Sequence, residues 1–219
     1  RSRAACGKNI YHCQPLRLNT HIGIGIPWDL DKNEGGVTCV QLREKSLGVP
    51  AILVEAEEIG ALCRSYGVPF LINDCVEIAL QCGADGVHVG QKDRAAREVR
   101  RLLGPNRILG VSARTVEQAV QAERDGADYL GVGAVFSTST KADAMPVSYE
   151  TLQAICRAVS IPVVAIGGIQ RENLLSLAGS GVDGVALVSA IFAAPDVETA
   201  SRELRALSEA MVSATLAWA

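Results

Sequence analysis

The residues with the most obvious chemistry fall in short clusters, each following an apolar run. Gln41, Arg43 and Lys45 alternate, so an extended backbone projects all three on one face. Two cations and an amide converging on one side make a cradle for a polyanion. A solvated charged turn is the plain alternative for this segment. Asp74 ends the run Ile72-Asn73-Asp74, and Asp93 ends His88-Val89-Gly90-Gln91-Lys92-Asp93. If those runs are adjacent strands, the two carboxylates meet above them. With substrate phosphate oxygens and water they would complete the sparse coordination that Mg²⁺ accepts. Taken alone, Asp74 is better explained as a helix N-cap. His88 lies inside a strand, where it packs or hydrogen-bonds, and no His or Cys stands at ligand spacing for Zn²⁺.

Further along, Ser112 follows Gly110-Val111 and offers a small hydroxyl to a phosphate or a ring nitrogen. Phe136-Ser137-Thr138-Ser139-Thr140-Lys141 presents hydroxyls, backbone N–H groups and one ammonium together. Its spacing is not that of a P-loop, which excludes ATP binding by that motif. Gly167-Gly168 and Val188-Ser189 close the last two apolar runs. Paired glycines and a serine there match the phosphate site that barrels build from backbone amides and a short helix N-terminus. Simple turn formation is the alternative for the glycines.

The elements that must position these groups are legible from Gly35 onward. One unit recurs: a helical pattern ends at Gly, a polar or acidic residue follows, then a short apolar run. It is seen at Gly36-Val37-Thr38, Gly83-Ala84-Asp85, Gly126-Ala127-Asp128 and Gly181-Val182-Asp183. The glycine supplies a left-handed C′ residue and the turn drops the chain into a buried strand. These units predict strands at 39–42, 86–89, 129–132 and 184–188. A second type is predicted at 68–72, 107–111 and 161–166, with Pro69, Pro105 and Pro162 at or just before their starts. Helices are predicted over 115–124 and 148–159, with Ser148 and Thr151 at the start of the latter. Strand–helix alternation means parallel pairing through right-handed crossovers. An eighth strand must come from 21–26 if the sheet closes, and 27–34 is too short for the helix that should follow. The expected fold is therefore an α/β (β/α)8 TIM barrel with an atypical first strand and first helix. Residues 21–219 form that single domain, after an N-terminal extension at 1–20.

Bulk properties limit the partners. Net charge is −3 and no basic stripe occurs, so nucleic acid is not expected. Aromatics are only 4% of the chain, so the core must be aliphatic. The seven cysteines contain no C-x-x-C pair and read as reduced, buried thiols of a cytoplasmic protein. No apolar stretch spans a bilayer, and Arg1 to Lys8 lacks an apolar core for a secretory signal. A homo-oligomer is compatible with the sequence.

Taken in order, the segments resemble the thiamine-phosphate synthase family. The matching pieces are Val40-Gln41-Leu42-Arg43-Glu44-Lys45, Ile72-Asn73-Asp74, Ala84-Asp85-Gly86-Val87-His88-Val89-Gly90-Gln91-Lys92-Asp93 and Gly110-Val111-Ser112. They continue through Gly131-Val132-Gly133-Ala134-Val135-Phe136, Thr138-Ser139-Thr140-Lys141, Ala165-Ile166-Gly167-Gly168-Ile169 and Val188-Ser189-Ala190-Ile191. The resemblance covers about Gly35 to Pro195. It implies an enzyme that joins hydroxymethylpyrimidine diphosphate to thiazole phosphate, giving thiamine phosphate and pyrophosphate. It further implies that Gln41, Arg43, Lys45 and Asn73 hold the pyrimidine diphosphate, with Leu42 and Glu44 in the same segment. Asp74 and Asp93 would bind Mg²⁺, Ser112 would contact the pyrimidine and Lys141 the diphosphate. Thr138, Ser139, Thr140, Gly168, Val188 and Ser189 would hold the thiazole phosphate. Arg43, Lys45 and Lys141 would stabilise the leaving charge. At the front the chain departs from the family, since residues 22–27 lack the Tyr and Asp that it carries there. Two other readings compete. A phosphate-binding barrel isomerase would need a general acid/base that the strand ends do not offer. A thiazole-phosphate-binding regulator or tautomerase-like barrel would keep the phosphate loops and alter the diphosphate set.

Overall fold

The computed structural model describes residues 20–24 as backbone, together with residues 36–137 and 146–216. Eight strands close into a barrel in chain order. They are β1 (Thr20–Ile24), β2 (Cys39–Leu42), β3 (Phe70–Asn73), β4 (Gly86–Val89), β5 (Ile108–Ala113), β6 (Tyr129–Gly133), β7 (Val163–Ile166) and β8 (Gly184–Leu187). The helices are α1 (Val49–Tyr66), α2 (Val76–Gln81), α3 (Ala96–Leu103), α4 (Val116–Arg124), α5 (Tyr149–Ala158), α6 (Ser189–Phe192) and α7 (Val197–Leu216). From β2 to β8 every neighbouring pair is parallel. Among the described residues, no helix is long and apolar enough to cross a membrane.

The atypical first strand takes a specific form. It occupies Thr20–Ile24 rather than 21–26, and it runs antiparallel to both β2 and β8. Thr20 pairs with Leu42 at the mouth end of β2, and Gly23 pairs with Cys39 at its start. A parallel pair needs a crossover of a dozen or more residues, usually a helix. The fourteen residues between Ile24 and Cys39 are long enough, but Pro27, Gly35 and Gly36 among them suit a helix poorly. Most of the expected 1–20 extension lies outside the described residues. One further difference lies between β7 and β8, where the connection holds only a 3-10 turn at Leu174–Leu177. Gly179 and Gly181 follow it with φ of 80° and 90°, which ends any continued helix.

The two helices predicted with start signals form where expected. Thr115 Oγ1 accepts from the Gln118 N–H at 3.3 Å, and Ser148 Oγ accepts from the Thr151 N–H at 3.2 Å. Each satisfies one of the donors that a helix start leaves open.

The recurring Gly-x-Asp units have a role at the base of the barrel. Asp85 Oδ2 accepts from the Phe70 N–H at 2.8 Å while the Asp85 N–H donates to the Phe70 carbonyl at 2.9 Å. Asp128 holds Leu109 in the same way, at 2.7 and 2.8 Å, and Asp183 holds Val163 at 2.8 and 2.8 Å. Each aspartate thus clamps both backbone groups of one residue on the preceding strand. The pairs joined are β3–β4, β5–β6 and β7–β8, so the repeat is a double strand–helix unit.

Side-chain alternation divides the strands into two layers. Val40, Leu42, Phe70, Ile72, Val87, Val89, Leu109, Val111, Leu130 and Val132 face the helices in one large aliphatic core. Cys39, Leu71, Tyr129 and Val164 form a separate cluster inside the barrel, with Ile108 and Ala186 against it. The inward rows then continue upward to Gln41 and Asn73, two residues further along β2 and β3, and to His88 and Ser112 on β4 and β5. Cys39, Cys63, Cys75, Cys82 and Cys156 are reduced thiols. Burial pushes the Cys39 thiol far up and that of Cys156 to about 12, so neither is a nucleophile at neutral pH.

The clamps carry a stability prediction. Asp183→Ala should cost about 1–3 kcal/mol, the range for a lost bond to a charged acceptor, and Asp183→Asn less. Thermal unfolding checks this; an unchanged Tm in Asp183→Ala would remove the clamp from the account.

Candidate active site

The floor of the candidate site is a chain of hydrogen bonds across the barrel. Tyr129 rises from the start of β6, and its hydroxyl lies 2.8 Å from His88 Nδ1. His88 Nε2 lies 2.9 Å from Ser112 Oγ. Gln41 also bonds the phenol oxygen, a contact that opposes the upward shift that burial imposes on Tyr129. Which atom donates in each of the two His88 bonds follows the tautomer of the imidazole. Gln91 Nε2 donates to the Ser112 carbonyl at 2.7 Å and fixes that strand end from the β4 side.

Two glycines make the floor fit. A Cβ on Gly110 would lie 2.3 Å from Tyr129 Cζ and 2.4 Å from His88 Nδ1. A Cβ on Gly131 would lie 2.9 Å from His88 Cε1. The reading of His88 as a hydrogen-bonding strand residue agrees with this geometry. Tyr129 and Gln91 were not singled out from the sequence; a tyrosine in an aliphatic strand, beside a neighbouring strand with an inward glycine, was the available signal.

Above the floor lies the acidic centre. Asp74 follows β3 with φ of 65°, an uncommon conformation for a residue other than glycine. That turn lets its N–H donate to the His88 carbonyl at 2.7 Å. The N-cap of α2 is Cys75, with no side-chain bond, so Asp74 is not the cap. Its carboxylate instead forms an ion pair with Lys45 and shares a hydrogen bond with Asp93. Burial raises the Asp74 carboxyl, but the bonds from Lys45 and Asp93 and the charges of Lys45 and Arg43 outweigh it and hold it below its usual range. Asp93 shifts the other way. Burial raises it, and the neighbouring Asp74 carboxylate adds to this against the bond from the Gly90 N–H at 2.7 Å. Two carboxyls in contact divide in this way because both cannot readily be ionised without a cation between them.

The remaining predicted residues fall in distinct places. Leu42 is 3% exposed and points its side chain into the outer core, away from the mouth. Glu44 faces its own turn, where one carboxylate oxygen accepts from the Ser46 N–H at 2.6 Å, the Ser46 hydroxyl at 2.5 Å and the Leu47 N–H at 3.3 Å. It therefore shapes the loop that carries Lys45. Asn73 pairs in register with His88 on the inner face. Thr138, Ser139, Thr140 and Lys141 lie outside the described residues.

A second group of backbone donors sits across the mouth. Gly167 and Gly168 turn with φ of 99° and 68°. The segment after β6 lies directly on them: the Phe136 N–H donates to the Gly167 carbonyl at 3.0 Å. A Cβ on Gly168 would come within 2.5 Å of the Ser137 carbonyl oxygen. Ser189 begins α6 after Val188, and its Oγ accepts from Gln170 Nε2 at 3.1 Å.

The arrangement suits two anions. One would meet Arg43, Lys45 and the carboxylate pair; the other would meet N–H and O–H donors at Gly168 and Ser189. The donor set also fits a hard divalent cation. Among the described residues no group of three His, Cys, Asp or Glu forms a complete metal cage. Two adjoining carboxyls could supply part of the coordination of a Mg²⁺ ion, which ordinarily takes the rest from phosphate and water.

Comparison with known proteins agrees with this geometry. The profile of the family described as "Thiamine monophosphate synthase" matches residues 31–191. The thiamine-phosphate synthase of Ruminiclostridium cellulolyticum is 52% identical over 170 residues, covering 78% of this chain and 81% of that protein. That of Chloroflexus aurantiacus is 52% identical over 174 residues, covering 79% and 80%. Among solved structures, the thiamine phosphate pyrophosphorylase from Pyrococcus furiosus is 40% identical with a TM-score of 0.75, over 82% of this chain and 86% of that one.

The floor carries its own prediction. Gly110→Ala should destabilise the fold by about 1–3 kcal/mol, the usual cost of forcing a methyl into packed space. Urea unfolding measures it; a change below about 0.5 kcal/mol would mean that the two rings can move aside.

Proposed function

This chain belongs to the thiamine monophosphate synthase family and is a transferase of that type, and from this premise we propose how its own residues carry out the reaction. The substrates are the pyrimidine diphosphate and the phosphorylated thiazole, 4-amino-2-methyl-5-hydroxymethylpyrimidine diphosphate and 4-methyl-5-(2-phosphoethyl)thiazole. The observation that carries this reading is the pairing of Asp74 with Lys45 and Asp93 directly above the Gln41–Tyr129–His88–Ser112 floor.

The pyrimidine ring lies on the floor. Ser112 gives its hydroxyl proton to a ring nitrogen, and the Gln41 amide and Asn73 face the same ring from the neighbouring strand ends. The diphosphate projects toward Arg43 and Lys45, with Lys45 exchanging Asp74 for a phosphate oxygen. Asp74 and Asp93 would hold Mg²⁺, which when bound supplies positive charge against the leaving diphosphate. Lys141, from the segment after β6, would add a third protein cation.

The chemistry is a substitution at the exocyclic methylene. Its C–O bond breaks and the electron pair leaves on pyrophosphate, while the electron-rich pyrimidine stabilises the cation. The thiazole nitrogen then donates its lone pair to that carbon, forming the C–N bond of thiamine phosphate. No proton has to move in this exchange. That accounts for a mouth furnished with cations and donors rather than a nucleophile or a strong base. The phosphate of the thiazole is held at Gly168, Val188 and Ser189, with the hydroxyls of Thr138, Ser139 and Thr140 as further donors. Anchoring the phosphate aims the nitrogen at the methylene. The reduced thiols support a cytoplasmic setting for this reaction.

The test is turnover itself. Wild-type protein with both substrates and Mg²⁺ should release pyrophosphate and form thiamine phosphate in equal amounts. Asp93→Ala should lower kcat by about 100-fold or more, in the range for losing a charge-stabilising group. Near-normal Mg²⁺-dependent activity in that variant would overturn the metal assignment. Binding of the phosphorylated thiazole without pyrophosphate release would favour the regulator reading instead.

A further inference from the structure

The second anion site is built from two turns that follow different strands, and one side chain joins them. Gln170 Nε2, on the segment after β7, donates to Ser189 Oγ at the start of α6 over 3.1 Å. Gln170 is itself fixed. Its N–H donates to Asn173 Oδ1 at 2.8 Å, and its carbonyl accepts from the Leu174 N–H at 3.0 Å. Asn173 spends the other end of its amide on the same turn, with Nδ2 donating to the Gly168 carbonyl at 2.9 Å.

These bonds have two consequences for an anion. The Gly168 carbonyl, whose partial negative charge would repel a phosphate, already has a donor. More directly, a serine hydroxyl has one proton to give and can accept two bonds. With Gln170 donating to Oγ, the Ser189 proton must point elsewhere, and it remains available to a phosphate oxygen. Backbone donors at Gly168 and the hydroxyl at Ser189 are thereby held at a set separation before any ligand arrives, which reduces the ordering cost of binding.

We propose that Gln170 and Asn173 are positioning residues of the thiazole-phosphate site. Asn173 shapes the Gly167–Gly168 turn, and Gln170 ties that turn to Ser189 and orients its hydroxyl. Neither touches the substrate. The proposal rests on the functional reading above, in which the phosphate of the thiazole sits between these two turns.

Steady-state kinetics on Gln170→Leu, Ser189→Ala and the double variant, with thermal unfolding of each, test it. Gln170→Leu should raise KM for the phosphorylated thiazole about tenfold. Its kcat, its KM for the pyrimidine diphosphate and its Tm should stay near wild type. In the Ser189→Ala background the Gln170 change should add less than about twofold, since a residue that acts only through Ser189 has nothing left to orient. Gln170→Glu, which can only accept at this position when ionised, should be at least as impaired as Gln170→Leu. An unchanged thiazole KM in Gln170→Leu overturns the inference, as do effects that multiply in the double variant. A joint rise of both KM values with a falling Tm also overturns it, because that is the mark of a merely structural role. Failure of the wild type to release pyrophosphate overturns the functional reading, and this inference with it.

Discussion

The interior of a small parallel barrel is too narrow for a large side chain at every inward position, and the rest of the site follows from how this chain shares that space. Tyr129 and His88 take the room that Gly110 and Gly131 leave, and their bonds then run to Gln41 on one side and Ser112 on the other. The floor is therefore both the upper part of the packed plug and the surface on which a flat ring can rest. Inward residues below it, Cys39, Leu71 and Val164, are aliphatic or thiol. At and above it Gln41, Asn73, His88 and Ser112 bring polar groups to the inner face. A single side-chain alternation accounts for both.

Electrostatics divides the mouth into halves of different character. On the β2–β4 side, Lys45 and the Gly90 N–H hold two carboxyls in contact, and Asp74 adopts a left-handed backbone to reach them. Strain of this kind costs about 1–3 kcal/mol and persists where the surroundings over-determine it. On the β7–β8 side, the groups described are backbone amides, a hydroxyl and two side-chain amides. A diphosphate leaving group needs concentrated positive charge as its bond breaks; a phosphate that serves only as an anchor needs donors in fixed places. In the proposed reaction the two halves would serve those two needs.

Much of this was legible in the sequence because it depends on local patterning. The helix starts at Thr115 and Ser148, seven of the strands and the inward position of Gln41 follow from period and turn chemistry. Asp74 was ambiguous because an N-cap and a mouth carboxylate look alike until the neighbouring strand is in place. The direction of β1 was not legible, since antiparallel closure depends on pairing with β8, far away in the chain. Tyr129 and Gln91 were missed for the same reason: what makes them part of the site is a glycine or a carbonyl on another strand. The aspartates of the Gly-x-Asp units were visible as a repeat, but their use as backbone clamps became clear only from the register.

The central claim is that the paired carboxyls form half of a cation site that a diphosphate completes. Calorimetric titration of Mn²⁺, a spectroscopically useful substitute for Mg²⁺, with and without inorganic pyrophosphate tests it directly. The account predicts weak binding by the protein alone and binding tightened at least about tenfold by pyrophosphate, with both effects reduced in Asp74→Asn. Equal metal affinity with and without pyrophosphate, or tightening that survives in Asp74→Asn, would contradict it.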